Sequence, residues 1–186
     1  MNEPKAAAAR VAIQPLDPRN PAVAQKIHHV MKLAYAQEAR LLGVKDLPPL
    51  RRTVQDIQAG DEFYLGAMAV QDAVEDAVED AVEDAVESGQ LLGVLSIGAD
   101  DETDQLLISA LVVHPAAQRR GIGRALVLEA LRRSPGMTMA VSTGLDNAPA
   151  LSLYRAMGFV AYRRGVMGPQ ALAVVKLRRA GADPSL

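Results

Sequence analysis

"QRRGIGRA", residues Gln118 to Ala125, lies between an apolar run that reads as a buried strand, Leu106 to Val113, and a periodic run that reads as an amphipathic helix, Ile122 to Arg133. Two glycines one residue apart permit a tight strand-to-helix turn. They do not by themselves account for Gln118, Arg119 and Arg120 immediately ahead. At a helix start the first backbone N–H groups have no partner inside the helix, and the helix dipole favours negative charge there. Without β-carbons at Gly121 and Gly123 an anion can approach those amides closely, while the flanking guanidinium groups offer bidentate donors suited to phosphate. The stretch reads as a cradle for a pyrophosphate.

Two better-known phosphate motifs fit less well. A nicotinamide-dinucleotide fingerprint expects a third small residue three positions after the second glycine, where this chain has Leu126. Asp146 does lie near the distance expected of that fingerprint's ribose-binding acid, so the exclusion rests on Leu126. A nucleoside-triphosphate loop expects Gly-Lys-Ser/Thr, which is missing.

Outward from this junction the elements follow in a definite order. Arg10 to Leu16 reads as a strand closed by Pro15, Pro18 and Pro21. Ala22 to Leu42 carries apolar residues at helical spacing and is ended by Pro48 and Pro49; Leu50 to Ala59 reads as a second, shorter helix stopped by Gly60. Phe63 to Val70 and Leu91 to Ile97 read as a hairpin, and Leu106 to Val113 as a central strand buried on both faces. After the helix Ile122 to Arg133 come a strand, Met137 to Thr143, a helix, Asn147 to Met157, and a strand pair, Phe159 to Met167 with Ala171 to Leu177. This order predicts an α/β protein of the α+β type, with a mixed, mostly antiparallel central sheet flanked by helices. One domain is expected over residues 1–179, with a frayed tail at 180–186.

Composition narrows the chemistry. The 186 residues, 49% of them hydrophobic, suffice for one core. There is no cysteine, which excludes disulfides, thiolate nucleophiles and cysteine-bound zinc. His28, His29 and His114 include no pair at i and i+4, so no metal site is expected, and His114, just before Pro115, reads as a loop residue. No Trp and only two Phe speak against a base-stacking platform and hence against nucleic acid. Neither a signal-like segment nor a membrane-length apolar run is present, so the expectation is a cytoplasmic protein without a membrane partner.

Residues 72–87 read DAVEDAVEDAVEDAVE, four copies of a tetrapeptide with eight carboxylates. Removing those eight negative charges from the formal −2 leaves +6 for the rest of the chain. Like charges four residues apart would each cost an isolated helix about 0.2–0.5 kcal/mol there. The plain reading is an expanded hairpin tip, since long surface insertions cost little closure entropy. The sharper one is an acidic arm that attracts cationic substrates or docks on a basic face of a neighbouring subunit; a homodimer is left open.

"VVHPAAQRRGIGRAL", residues 112–126, resembles the Q/R-x-x-G-x-G/A segment of the GNAT superfamily of acetyl-CoA-dependent N-acetyltransferases. "NAPALSLYRAMGF", residues 147–159, is similar to that family's second signature, N-x-x-A-x-x-L-Y-x-x-x-G-F, and the two stand in family order and spacing. The resemblance implies a GNAT-like acyl-CoA N-acyltransferase fold with acetyl-CoA as co-substrate. It further implies that Gln118, Arg119, Arg120, Gly121, Ile122, Gly123, Arg124 and Ala125 cradle the coenzyme's pyrophosphate, and that Leu111, Val112 and Val113 pair with the pantetheine arm like an added strand.

Asn147, Ala150 and Tyr154, three and four residues apart, are expected on one helical face lining the same channel. By similarity Tyr154 protonates the departing thiolate, and the acceptor is an amine on a small molecule or a protein. Many relatives carry a basic carboxylate on the central strand, but LLISALVV has none. Glu38 is the candidate base, against the plainer reading of a solvated helix-face carboxylate. A non-catalytic acyl-CoA sensor, which keeps the pocket without acceptor chemistry, is the alternative.

Overall fold

A computed structural model of the chain describes residues 11–70, 89–102 and 104–181. Seven strands make one sheet: β1 Val11–Leu16, β2 Phe63–Ala69, β3 Leu91–Ala99, β4 Gln105–Val113, β5 Thr138–Gly144, β6 Val160–Met167 and β7 Leu172–Arg179. In space they run β1-β2-β3-β4-β5-β7-β6. Every neighbouring pair is antiparallel except β4–β5. The mixed, mostly antiparallel sheet is therefore the one expected from the order of the elements.

Four helices cover the two faces: α1 Pro21–Leu41, α2 Val54–Ala59, α3 Ile122–Arg133 and α4 Ala148–Ala156. On one face Ile27, Val30 and Met31 of α1 and Ile57 of α2 pack with Tyr64, Val94, Ala110 and Val112. On the other, Leu126 and Val127 of α3 and Leu151 and Tyr154 of α4 pack with Leu65, Leu95, Ile108, Met139 and Leu177. Burying each large apolar side chain contributes about 1.5–3 kcal/mol. The alternation along β2 and β3 sends their side chains to these two layers in turn.

Local chemistry sets the helix ends. The Asn20 side chain accepts from the Ala22 and Val23 N–H groups at the start of α1, with Pro21 at its first position. The second helix is shorter than the sequence suggests. Pro48 and Pro49 do not end α1, which stops at Leu41; they open a 3-10 turn, Pro48–Arg51. Arg52 is then extended, and Thr53 and Asp56 start α2 with a reciprocal capping box.

A second correction concerns β4. The strand is central but not buried on both faces: Ile108, Ala110 and Val112 are buried, Leu111 and Val113 are half-buried, and Ser109 is exposed. Two features open it. Ser96 of β3 faces Ala110 and Ile97 faces Ile108, so Ser109 is an extra, bulged residue. Pairing with β5 covers only Gln105 to Ile108, opposite Thr138 to Val141, and beyond Ile108 the two strands part.

The closed end of that split is held by buried charge. Lys176 Nζ lies 2.6 Å from Asp100 Oδ1, with the Asp100 side chain 1% exposed. Gln105 Nε2 donates to Asp100 Oδ2 at 2.8 Å, and the Tyr162 hydroxyl to Glu102 Oε1 at 3.1 Å. The β3–β4 connection is thereby tied to β6 and β7.

The β2–β3 hairpin is as expected, but its acidic repeat, 72–87, lies outside the described residues, as do Arg10 and the end of the tail, 182–186. At the hairpin's mouth the Gly89 N–H donates to the Ala69 carbonyl at 3.0 Å. The His114 N–H donates to the Leu92 carbonyl at 2.8 Å, which sets this mouth beside the C-terminal end of β4.

Candidate functional site

The split between β4 and β5 opens into a cleft of about 880 Å³ roofed by the last turns of α1 and floored by the starts of α3 and α4. Its first wall is the glycine-rich junction. A short 3-10 turn, Pro115–Ala117, follows β4 and is capped by His114, whose Nδ1 accepts from the Ala116 N–H. His114 is thus a loop residue, as read. Arg119 and Gly121 then adopt left-handed backbone, φ 65° and 83°. Gly121 is the N-cap of α3, and no side chain caps that helix end. The first-turn amides accordingly face the cleft with a positive dipole end behind them.

Gly123 is not demanded by packing. A Cβ there would meet Leu153 Cδ2 at 3.4 Å and Val113 Cγ2 at 3.8 Å, ordinary contacts. The bare backbone faces the cleft, which suits close approach by a ligand.

Gln118, Arg119, Gly121, Ile122, Gly123 and Arg124 line the cleft, as do Leu111, Val112 and Val113 of β4. Arg120 and Ala125 do not: Arg120 is exposed on the turn, and the Ala125 N–H is already used by the Gly121 carbonyl at 3.0 Å. Arg120 precedes α3 on the turn, and only Ala125 is turned away from the opening by the helix itself.

Asn147, Ala150 and Tyr154 also meet in the cleft, by a different geometry from three residues on one helical face. Asn147 precedes α4 as its N-cap, its Oδ1 accepting from the Ala150 N–H at 3.2 Å. This frees Nδ2 to donate to Glu38 Oε1 at 2.9 Å. Glu38 is therefore a half-buried, anchored carboxylate and not a solvated one. Burial pushes its pKa up, partly offset by the Asn147 amide.

Tyr154 is 4% exposed and packs against Phe159 with ring centroids 5.5 Å apart. Burial first, and then the nearby Glu38 charge, raises its hydroxyl pKa well above the usual phenol value. Burial thus favours the neutral form of both groups, the phenol and the carboxylic acid.

Sequence reasoning missed Gln37, whose Oε1 accepts from Gln118 Nε2 at 2.9 Å. The same Nε2 donates to the Val113 carbonyl at 3.2 Å, joining α1, β4 and the junction. Ala34, Arg40 and Leu41 of α1 and Pro149, Ser152 and Leu153 near α4 complete the wall. The i and i+4 spacing of Ala34 and Glu38 was the available signal on α1.

Among the described residues no helix is long and apolar enough to cross a membrane. Residues 52–159 match the family model described as the acetyltransferase (GNAT) family. The UPF0157 protein YqkA of Bacillus subtilis is 32% identical over 148 residues, covering 79% of this chain and 37% of that protein. The N-alpha-acetyltransferase RimI of Mycobacterium tuberculosis is 35% identical over 101 residues, 52% of this chain and 64% of RimI. Both matches span less than two thirds of the relative's own length. The structure of yncA from Salmonella typhimurium, solved with its cofactor acetyl-CoA, shares the fold at a TM-score of 0.63 and 17% identity, covering 96% of this chain and 98% of that one.

Proposed function

This chain belongs to the GNAT family of acetyl-CoA-dependent N-acetyltransferases, and we propose that it moves an acetyl group from acetyl-CoA to a primary amine, by direct attack in a ternary complex. One observation carries the reading: a single cleft joins the uncapped α3 amides, the part of β4 that β5 leaves unpaired, the buried Tyr154 and the anchored Glu38. The residues suit the coenzyme. First-turn amides of α3, with Arg119 and Arg124, would hold its diphosphate. The β4 backbone past Ile108, paired with β3 but no longer with β5, would take the pantetheine arm as an added strand.

The bound thioester supplies an acyl group activated for attack by nitrogen. Glu38 removes a proton from the ammonium form of the acceptor, directly or through water, and the freed nitrogen pair forms the new N–C bond. A backbone N–H of β4 polarises the carbonyl as charge builds on its oxygen. As the C–S bond breaks, Tyr154 gives its proton to the sulfur; the second proton, shed by the nitrogen as it becomes an amide, restores the phenol through water, and the proton held by Glu38 returns to solvent. No protein nucleophile takes part.

The domain spans residues 1–179, and the acceptor is an amine on a small molecule or a protein. The location that fits such a donor is the cytoplasm. A screen of amines and free-amino peptides with acetyl-CoA, read by thiol release, tests the reading. Thiol release that depends on the added amine supports it. Coenzyme binding without turnover across the panel overturns it and leaves an acyl-CoA sensor.

A further inference from the structure

A polar cluster on the α1 face of the sheet has no role in the chemistry above. Its centre is Glu62, one residue before β2. Glu62 Oε2 accepts from the Tyr64 hydroxyl at 2.7 Å and pairs with Arg52 Nη2. Burial opposes the Glu62 charge, but Arg52 and Tyr64 outweigh it and hold its carboxyl below the ordinary range, with the Ser109 hydroxyl adding to the effect.

Ser109 belongs to β4, two strands away. A Cβ on Gly98 of the intervening β3 would sit 3.2 Å from Ser109 Oγ and 3.5 Å from Glu62 Cγ. Because residue 98 has no side chain, the carboxylate reaches across β3 to the bulge. Both strong donors bind Oε2, so Oε1 keeps acceptor capacity. The Glu62 side chain is 18% exposed and Ser109 is open to solvent.

The place of the cluster matters as much as its chemistry. Ser109 is the first residue of β4 beyond its pairing with β5, at the vertex of the split. An arm that starts at the α3 amides and runs back along Val113 and Leu111 points its far end at that vertex. Tyr35 is buried on α1 three residues before Glu38, and burial first and then the Glu38 charge raise its hydroxyl pKa. Beside the bulge Ser96, the register partner of Tyr64 and Ala110, has a buried Oγ with no hydrogen-bond partner. Ser96 is itself fully buried, so the capacity open to a ligand at the vertex is that of Glu62 Oε1 and Ser109.

We propose that Glu62 and Ser109 together receive the N–H groups of the acceptor amine at the vertex of the β4–β5 split, so that β2 provides the carboxylate that β4 lacks. This rests on the acetyltransferase reading. Arg52 and Tyr64 fix the carboxylate rather than touch the ligand, and partial neutralisation by Arg52 makes recognition a matter of hydrogen-bond geometry more than of net charge.

The test is calorimetric titration of the CoA-saturated protein with n-butylamine and with trialanine as probes. Glu62→Gln weakens binding of the better probe by about 10-fold or more, as expected on losing a hydrogen bond to a charged group. Ser109→Ala, at an exposed position, weakens it in the same direction while its CoA affinity and melting temperature stay at wild type. In the Glu62→Gln background, Ser109→Asp restores part of the affinity by placing a carboxylate on β4 itself. Equal probe affinity in wild type, Glu62→Gln and Ser109→Ala overturns the proposal, as does failure of the CoA-loaded wild type to bind either probe.

Turnover separates this inference from its premise. A wild type that binds the probes but releases no thiol from acetyl-CoA overturns the acetyltransferase reading and leaves the amine site standing. Turnover with an unchanged amine KM in both variants overturns the amine site alone.

Discussion

Gly123→Ala should make the protein more stable and worse at holding its coenzyme. The backbone at Gly123 is not among the left-handed glycines, and the nearest atom to an added Cβ is Leu153 Cδ2 at 3.4 Å. The methyl group therefore fits. Replacing glycine by alanine within a helix favours folding by about 0.5–1 kcal/mol. For a chain of this size that is a rise of roughly 1–4 °C in melting temperature.

The same methyl stands over the first-turn amides of α3 on the cleft side. Keeping a diphosphate from one of those donors costs about 1.5–3 kcal/mol, so the CoA Kd should rise roughly 10- to 100-fold. Thermal melts of the free protein and calorimetric titration with CoA read the two effects separately. Gly121→Ala is the contrast: no atom lies within 4 Å, but φ is 83°, so the melt should fall by the equivalent of about 1–2 kcal/mol. A raised melting temperature with an unchanged CoA Kd would refute the anion cradle. A lowered melting temperature together with weaker CoA binding would show that Gly123 is a packing residue after all.

Tyr154→Phe keeps the packing against Phe159 and loses only the hydroxyl, so turnover should drop about 100-fold with CoA affinity near wild type; loss of affinity with unchanged turnover would contradict the acid role. Glu38 has a raised folded-state pKa, so its contribution to stability is complete below the ordinary carboxylate range and is lost as pH rises through the raised value. Across the same window its deprotonation should lift kcat/KM, and in Glu38→Gln both the stability loss and that acidic limb should disappear from melts and pH–rate profiles. Asp100→Ala leaves the Lys176 ammonium only its longer pair with Glu102 at 3.8 Å and should cost up to about 3 kcal/mol in denaturant melts, whereas Asp100→Leu with Lys176→Met should recover most of it. Deleting residues 72–87 should raise KM for cationic amines at low salt and lose that effect near 1 M salt, where the screening length is only about 3 Å; unchanged low-salt kinetics would remove the acidic-arm idea.

What the sequence made legible was what neighbouring residues decide among themselves. The bounds of α3 follow from its apolar period, the glycines before it and Pro135 after it, all within one stretch. The coenzyme cradle proposed above rests on the same kind of signal, since its donors would come from consecutive amides. What could not be read locally is what the topology brings together. Gln37 and Gln118 are 81 positions apart and Asp100 and Lys176 are 76 apart, and nothing in either segment announces its partner. The bulge at Ser109 depends on the register against β3, which the run LLISALVV does not encode by itself.

The misreading of β4 is the instructive case. An unbroken apolar run was taken to mean burial on both faces, yet Leu111 and Val113 are only half-buried and border an open cleft. Hydrophobic pattern reports that a surface must be kept from water and is indifferent to what covers it. Along most of this sheet other elements of the chain do so. Beyond Ile108 β5 no longer pairs with β4, so the β4 backbone groups on that side and the half-buried Leu111 and Val113 border the cleft. On the proposed reading, a strand-like arm bearing a thioester would meet both needs at once, which is why the apolar run of β4 extends past the end of its pairing with β5.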